Sequence, residues 1–346
     1  MKRLLTIFAA VLLLAPGAFA ADVRILKIDS AALRGNLAGD PAVQSFAVYV
    51  PPGYDSSTAR YPVVYLLHGI ADSYETWTGG WKIPDMLDRL IAAKAIAPMI
   101  VVMPNAGNRF MGSYYVNSPV TGRWADMIAN EMVAMVDAQF RTLAKPESRG
   151  VVGHSMGGYG AIRFGMERPD VFRAVYALSP CCLDAVEDIG WANQAMWRTF
   201  LNFKSYADAE AALQKGDFYP MAALGLLSAH LPNPDAPLRV DVPIRAARGE
   251  LVPNEPAYTK LRDQLPMRNV GRYRENLRQL RMLSIDYGFA DKFAHIPVAT
   301  PAFSRELIAH GVPHVLDAYE GDHRQRVVRR METIVFPTFS AVLAKE

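Results

Sequence analysis

The residues Gly153-His154-Ser155-Met156-Gly157 match the pattern Gly-x-Ser-x-Gly and are the first sign of chemistry in the chain. An apolar strand is predicted over 150–152 and a helix over 156–166, so the serine lies in a sharp strand–turn–helix connection. Such a turn presents the serine hydroxyl at the edge of a sheet, and the flanking glycines avoid a Cβ collision. The pattern predicts Ser155 as a nucleophile. The alternatives are a glycine-rich helix start used only for packing and, as a poorer fit, a dinucleotide-binding turn.

A serine nucleophile needs a general base and an acid, and in this kind of turn the chain order is serine, acid, histidine. Among seven histidines, His323 follows a strand predicted over 314–319 and would reach the edge where Ser155 lies. The acid should follow the strand predicted over 282–285, where Asp286 and Asp291 compete. A carboxylate that orients an imidazole must lie past the end of the strand, which favours Asp291 over Asp286.

The same chemistry requires donors for the negative charge that develops on the substrate oxygen. The backbone N–H of Met156 follows the nucleophile and opens a helix, so it is one candidate. The second should come from the loop after the strand predicted over 61–67, through the N–H of Ile70 or Gly69. A substrate pocket could use the aromatic residues Trp77, Tyr114 and Tyr115, although packing in the core explains them equally well.

Alternating strands and helices are predicted to position these residues. The strands are predicted over 23–28, 46–50, 61–67, 99–103, 150–152, 172–178, 282–285 and 314–319, and the helices over 83–96, 124–140, 156–166, 300–310 and 324–343. Repeated strand–helix units predict an α/β fold with a mostly parallel central sheet and helices on both faces. The alternation lapses between about 183 and 281. The sequence therefore predicts one domain over 21–346 with an inserted helical cap.

The first twenty residues are typical of a secretory signal peptide. Lys2 and Arg3 precede an apolar run over 4–15, and Ala18-Phe19-Ala20 offers the small residues that a signal peptidase requires. We expect cleavage after Ala20 and export to the periplasm or the medium. A membrane anchor is the alternative, but this run is short for a span of about 20 residues, so no stable anchor is predicted.

Composition excludes several classes of protein and partner. The 346 residues are 51% hydrophobic and 21% charged, which is typical of a globular protein and excludes disorder and disulfide-dense scaffolds. The formal charge of +3 gives no basic excess, so no nucleic-acid partner is expected. No metalloprotease, phosphate-loop or calcium-loop motif occurs, so neither a metal nor a cofactor is predicted.

Two smaller features leave alternatives open. Cys181 and Cys182 are adjacent, so they serve either as small buried hydrophobes or as a vicinal disulfide or redox pair. Metal binding by this pair alone is not favoured, because the usual four-ligand spacing is missing. The arginines of the last helix are interpreted as a solvated face, with an acidic substrate or partner as the alternative. They are Arg324, Arg326, Arg329 and Arg330.

Four segments together resemble the esterase D type of α/β-hydrolases, a family with S-formylglutathione hydrolases, feruloyl and acetylxylan esterases and mycolyltransferases. These segments are Tyr65-Leu-Leu-His-Gly69, Met103-Pro-Asn105, Gly153-His-Ser-Met-Gly-Gly-Tyr-Gly-Ala161 and Gly321-Asp-His323. The resemblance covers about 45–180 and 283–343, and it leaves the predicted cap and the cysteine pair unmatched. It implies an α/β-hydrolase fold, with Ser155, Asp291 and His323 as the catalytic residues. It also implies that the backbone amides of Ile70 and Met156 donate hydrogen bonds to the oxyanion.

These observations predict an exported serine esterase that hydrolyses carboxylic esters through an acyl-enzyme. Transfer of the acyl group to a sugar or another alcohol is the alternative, because both reactions share that intermediate. A binding module that kept the fold without catalysis is a third, lesser alternative. The expected partner is a small-molecule or carbohydrate ester. Neither the acyl group nor the oligomeric state follows from these residues.

Overall fold

A computed structural model of the protein describes residues 21–345 and contains an eight-stranded sheet. Its strands are Val23–Asp29 (β1), Val43–Tyr49 (β2), Val63–Leu67 (β3), Ile100–Pro104 (β4), Arg149–His154 (β5), Ala174–Leu178 (β6), Met282–Gly288 (β7) and Val315–Tyr319 (β8). Their spatial order is β1-β2-β4-β3-β5-β6-β7-β8. The pairs β1–β2 and β2–β4 are antiparallel and the others are parallel. The prediction of a mostly parallel sheet is confirmed. The predicted signal peptide, with its cleavage site after Ala20, lies outside the described residues.

Helices connect these strands. They are Ile83–Ala92 (α1), a helix over 124–139 (α2), Met156–Glu167 (α3), Gln194–Phe200 (α4), Tyr206–Gln214 (α5), Phe218–His230 (α6), Ala257–Gln264 (α7), Pro266–Arg278 (α8), His295–Ala309 (α9) and a helix over 327–342 (α10). Helix α2 contains a π-helical stretch at Met127–Met132, and α10 contains one at Met331–Val335. Two short hairpins pair Asn117–Ser118 with Gly122–Arg123 and Ile244–Ala247 with Glu250–Pro253. Within residues 21–345, no helix combines the length and the apolar character that crossing a bilayer requires.

Strand β3 shows why the core has two layers. Its five residues are all buried, as its uninterrupted apolar sequence predicts for a strand covered on both faces. Because side chains alternate along a strand, Val63, Tyr65 and Leu67 enter one hydrophobic cluster, whereas Val64 and Leu66 enter the other. The first cluster includes residues of α2, α3 and α9, and the second includes residues of α1 and α10. Helices therefore cover both faces of the sheet.

The segment predicted as a cap, 183–281, lies between β6 and β7 and contains α4 to α8 with one hairpin. Helix α6 packs against α4, α5 and α7, whereas α8 packs against α3 and α9 of the helix layer on the sheet. Only part of the segment is therefore separate from that layer. The bounds of the cap stay a prediction.

Two predicted helix starts were wrong. Helix α9 begins at His295, before the predicted start at 300, and it accommodates Pro301 within its length. The last helix begins at Val327 and not at Arg324, because the backbone N–H groups of Arg324 and Gln325 donate to Asp322 Oδ1 in a preceding turn.

Candidate active site

Ser155 occupies the turn between β5 and α3, where its backbone has a φ of 58° and a ψ of −117°. A non-glycine residue is strained in this conformation and keeps it only when its surroundings impose it. Two hydrogen bonds to the chain that leaves β6 do so here. The Ser155 N–H donates to the Leu178 carbonyl at 2.9 Å, and the Cys181 N–H donates to the Ser155 carbonyl at 3.2 Å.

The two glycines of the motif are required by close backbone contacts. A Cβ on Gly153 would lie 2.3 Å from the carbonyl of Gly157, and one on Gly157 would lie 2.2 Å from the Leu67 carbonyl oxygen. Neither contact can be relieved by moving a flexible side chain, since all these atoms are backbone. The spacing of the motif therefore follows from how tightly α3 packs on β3 and β5.

Asp291 and His323 form a buried pair at the carboxyl ends of β7 and β8. Asp291 Oδ2 lies 2.7 Å from His323 Nδ1, and the Asp291 side chain is fully buried. A second oxygen of this carboxylate accepts a hydrogen bond from the Phe293 N–H at 3.0 Å. Because Nδ1 contacts the carboxylate, Nε2 is the ring nitrogen left for the cavity that His323 and Ser155 line together. No hydrogen bond joins Ser155 Oγ to His323 among residues 21–345, and such bonds often tighten only when substrate binds.

The side chain of His154, next to the candidate nucleophile, holds the backbone of His323. Its Nε2 lies 2.7 Å from the His323 carbonyl oxygen, and the two rings are 4.5 Å apart. Burial, with the nearby His323 and Arg324 as further causes, lowers the pKa of His154 well below its usual value. The neutral ring therefore donates from Nε2 to that carbonyl and fixes the backbone of His323.

Of the two competing aspartates, the structure brings only Asp291 to the imidazole. Asp286 is buried in β7, where it accepts hydrogen bonds from Tyr176 at 2.9 Å and from Arg330 Nε at 2.6 Å. Burial raises the pKa of Asp286 to about 6, against the opposing effect of the Arg330 guanidinium. Arg330 is itself buried and also binds Asp317, so the interpretation of this arginine as part of a solvated face was wrong.

The candidate oxyanion donors lie around Ser155. The N–H of Met156 is the first of α3 and, with that of Ile70, has no hydrogen-bond acceptor within residues 21–345. Gly69 lies against the nucleophile, because a Cβ added to it would be 3.4 Å from Ser155 Cβ. These amides can therefore approach an oxygen bound at the serine.

His68 and Tyr115 hold the loop that carries Gly69 and Ile70. His68 Nε2 accepts a hydrogen bond from the Ala106 N–H at 2.8 Å, so its Nδ1 donates to the Gly69 carbonyl at 2.7 Å. The Tyr115 hydroxyl donates to the His68 carbonyl at 2.9 Å. Burial lowers the pKa of His68, which keeps this arrangement neutral. Sequence reasoning missed this support, because nothing in the motif specifies which residues hold the loop.

A cavity of about 460 Å³ opens above Ser155 and His323. Gly69 and Ile70 line it, together with the aromatic residues Phe218, Tyr219 and Phe293 and the cations Lys292 and Arg324. The Arg324 guanidinium lies 4.9 Å from the centre of the Trp81 ring and 3.3 Å from Asp72, so it packs at the cavity wall. Of the lining residues that sequence reasoning missed, Phe218, Tyr219 and Phe293 carried no motif that would have identified them.

The aromatic residues predicted for the pocket have different positions. Tyr114 lines a narrow pocket beside Ser155, and its hydroxyl donates to the Ala222 carbonyl at 3.1 Å. Tyr115 supports the loop as described and does not line the cavity. Trp77 does not reach the cavity either, because it is fully buried in the second hydrophobic cluster, 4.8 Å from Trp81. Aromatic type alone did not distinguish core from pocket.

The sequence is similar to that of known esterases. A model of the family described as putative esterase matches residues 43–224, more than half of the chain. The endo-1,4-beta-xylanase/feruloyl esterase of Xylanibacter ruminicola is 30% identical over 134 residues, which are 38% of this chain and 18% of that protein. Esterase Rv1288 of Mycobacterium tuberculosis is 36% identical over 118 residues, which are 34% of this chain and 25% of that protein. The match thus spans about a quarter or less of each relative.

A solved structure of a ferulic acid esterase superposes with a TM-score of 0.66 at 19% identity, covering 94% of this chain and 100% of the other. This likeness shows the α/β-hydrolase fold. Since the family model matches more than half of the sequence, the protein belongs to the putative esterase family.

Proposed function

We propose that this protein is an exported serine esterase that hydrolyses carboxylic esters through an acyl-enzyme. The observation that carries the proposal is the buried Asp291–His323 pair, 2.7 Å between Oδ2 and Nδ1, in the same cavity as the strained Ser155. Membership of the putative esterase family supports it. Export rests on the signal-peptide pattern of residues 1–20, and N-terminal sequencing of the secreted protein should begin at Ala21.

In the proposed reaction, Ser155 Oγ attacks the ester carbonyl while His323 Nε2 takes its proton. Asp291 keeps the proton of the neutral ring on Nδ1 and stabilises the imidazolium that forms. The amides of Ile70 and Met156 donate to the oxyanion, with the amide of Gly69 as the other candidate in the loop. The imidazolium then protonates the leaving alcohol, and a water activated by His323 releases the acid.

The cavity supports a substrate with an aromatic or other apolar group. Phe218, Tyr219 and Phe293 supply an apolar wall, whereas Lys292 and Arg324 supply a polar one. Relatives carry the names feruloyl esterase and acetyl esterase. We therefore propose small aryl or acetyl esters, including esters of carbohydrates, as the substrate class.

The experiment is hydrolysis of a panel of aryl and short-chain esters by the wild type and Ser155→Ala. We expect kcat/KM to fall by about 10⁴-fold or more, since loss of the nucleophile should cost more than the 10²–10³ of one oxyanion donor. A fluorophosphonate probe should label the wild type and not the variant. Unchanged hydrolysis would contradict the proposal, and an unlabelled, folded wild type would indicate a binding module.

Adding a sugar acceptor to the same assay separates hydrolysis from transfer. Esterase activity predicts free acid as the main product at every acceptor concentration. An acyl-sugar that becomes the main product would assign the transferase alternative, because both reactions pass through the same acyl-enzyme.

A further inference from the structure

A second cluster of reactive side chains lies beside Ser155, outside the proposed ester chemistry. Cys181, Cys182 and His295 are all buried, and one ligand atom from each lies within 4.8 Å of the other two. With Ser155 they line a narrow pocket of about 40 Å³. A space of this size accommodates an ion or a water, since one water needs about 10–15 Å³ on the same measure.

His295 has a ring nitrogen without a partner. Its Nδ1 lies 2.8 Å from Asp188 Oδ1, whereas its Nε2 is buried and has no hydrogen-bond partner among residues 21–345. Only 4% of the His295 side chain is exposed, so water does not solvate this nitrogen freely. The Cys181 thiol beside this nitrogen is at most a weak partner for it, and a cation shared by the two would satisfy both groups.

Asp188 is held in place by two further hydrogen bonds. The His295 N–H donates to Asp188 Oδ1 at 2.7 Å, and the Tyr219 hydroxyl donates to Oδ2 at 2.8 Å. The carboxylate thus fixes the imidazole orientation through Nδ1 and leaves Nε2 for the pocket. Histidines that bind metals commonly donate their second N–H to a carboxylate in this way.

We propose that Cys181, Cys182 and His295 form a three-ligand site for a thiophilic divalent cation of the Zn²⁺ or Cd²⁺ class, with Asp188 as the positioning residue. Two thiolates and one imidazole are a donor set that such ions prefer over carboxylate and carbonyl oxygens. Binding releases to solvent the protons held by the two thiols and by His295 Nε2, so that two thiolates and a neutral imidazole coordinate the cation. The fourth coordination position faces the pocket and is taken by water.

The sulfur atoms must separate when a cation binds. They lie 2.7 Å apart, whereas two sulfurs on a tetrahedral Zn²⁺, each at about 2.3 Å, are about 3.8 Å apart. Rotation of the two cysteine side chains can move the sulfur atoms apart by the missing distance of roughly 1 Å. Because the site shares a pocket with Ser155, a bound cation should also hinder the acyl end of a substrate, a consequence that rests on the proposed function.

The test is a titration of the reduced protein with Cd²⁺. Calorimetry measures the binding, and the ultraviolet thiolate-to-metal absorption reports coordination by the cysteines. The wild type should bind one equivalent and show this absorption. Cys181→Ser, Cys182→Ser and His295→Gln should each weaken binding by about 100-fold or more, and Asp188→Asn by about 10- to 100-fold. His230→Gln is the matched control, because His230 is equally buried but lies against Tyr159 at 3.0 Å.

Several results would overturn the proposal: a folded wild type without the absorption, His295→Gln with wild-type affinity, or isolated protein whose mass shows a Cys181–Cys182 disulfide. A measurement on the wild type alone avoids variants that fail to fold. Cd²⁺ should protect both cysteines from alkylation by iodoacetamide, and equal alkylation with and without the cation would contradict the site. None of these readouts uses ester hydrolysis, so failure of the proposed function leaves this test intact.

Discussion

Two carboxylate–imidazole pairs lie on either side of Ser155, one at the large cavity and one at the narrow pocket, and they differ in the group beside each ring. Asp291 contacts His323 at 2.7 Å next to the Ser155 hydroxyl, whereas Asp188 contacts His295 at 2.8 Å next to two thiols. The distance between carboxylate and imidazole is nearly the same in the two pairs. The neighbouring group therefore decides what each pair can do.

A hydroxyl and a thiol need different help from an imidazole. A serine hydroxyl keeps its proton at neutral pH and needs a base during attack, which a ring oriented by a carboxylate supplies. Thiols lose their protons readily to a thiophilic cation, and the same oriented ring then serves as a third ligand. We infer that an imidazole oriented by a carboxylate is used twice in this protein, once for proton transfer and once for coordination of a cation.

Removing each imidazole in turn should give the largest difference between the two pairs. His323→Gln should lower kcat/KM for an aryl ester by about 10⁴-fold or more, because the base for Ser155 is lost. His295→Gln should lower it by about tenfold or less, because this ring touches no reacting atom in the proposed mechanism. Steady-state kinetics in the presence of a chelator measures both. Losses of similar size would show that the two pairs are not functionally distinct.

The carboxylates offer a second, slightly smaller contrast. Asp291→Asn should lower kcat by about 10⁴-fold, because an amide favours the wrong tautomer of His323 while leaving the geometry intact. Asp188→Asn should act mainly on cation affinity, as described above, and reduce kcat much less. The same kinetic assay decides, with circular dichroism as the check on folding. A larger loss of kcat in Asp188→Asn than in Asp291→Asn would reverse the assignment.

The buried carboxylate of Asp286 differs from those of both pairs because its partner is an arginine. Arg330→Ala should lower the free energy of unfolding by about 3–5 kcal/mol, since it leaves Asp286 buried without its cation. Arg329→Ala is the matched control on the same helix, and its exposed side chain should matter by only about 0.5 kcal/mol. Urea denaturation measures both. Equal losses would mean that the Asp286–Arg330 pair contributes no more than a surface residue does.

The sequence was sufficient to predict the central sheet and to locate one of the two carboxylate–imidazole pairs. The uninterrupted apolar run of β3 predicted burial on both faces, and the chain order after Ser155 led to His323. Placing the acid beyond the end of β7 favoured Asp291, which the structure puts against the ring. The positions of these residues followed from the sequence because strand ends and strand–turn–helix connections constrain the local backbone directly, whereas their catalytic roles stay a prediction.

The second pair could not be found in the same way. Asp188 and His295 are 107 residues apart and match no ligand spacing, so only tertiary packing brings His295 to Asp188 and the cysteines. The aromatic wall of Phe218 and Phe293 was missed for the same reason, since α6 reaches the cavity through packing of the cap segment. The prediction for Trp77 had the opposite error. It was predicted to line the pocket but lies in the core, because an aromatic side chain suits a core as well as a pocket.

A buried imidazole without a carboxylate shows what the carboxylate contributes to both pairs. Among residues 21–345 the His230 ring hydrogen-bonds the Tyr159 hydroxyl and no carboxylate, and burial lowers its pKa to about 3, with Arg163 as a smaller cause. The unfolded chain takes up this proton near pH 6.5, whereas the folded protein does not. Stability should therefore fall as pH drops below about 6.5, by up to about 1.4 kcal/mol per pH unit from this group.

His230→Gln should remove that contribution, so its unfolding free energy should depend less steeply on pH between about 6 and 5 than that of the wild type. Tyr159→Phe is the control, because it deletes the hydrogen bond and keeps the buried ring, so the wild-type slope should remain. Urea denaturation across this range compares the slopes, which a uniform loss of stability in either variant does not change. An identical slope in His230→Gln and the wild type would show that the folded protein protonates His230, and that a buried ring needs no carboxylate to carry charge here.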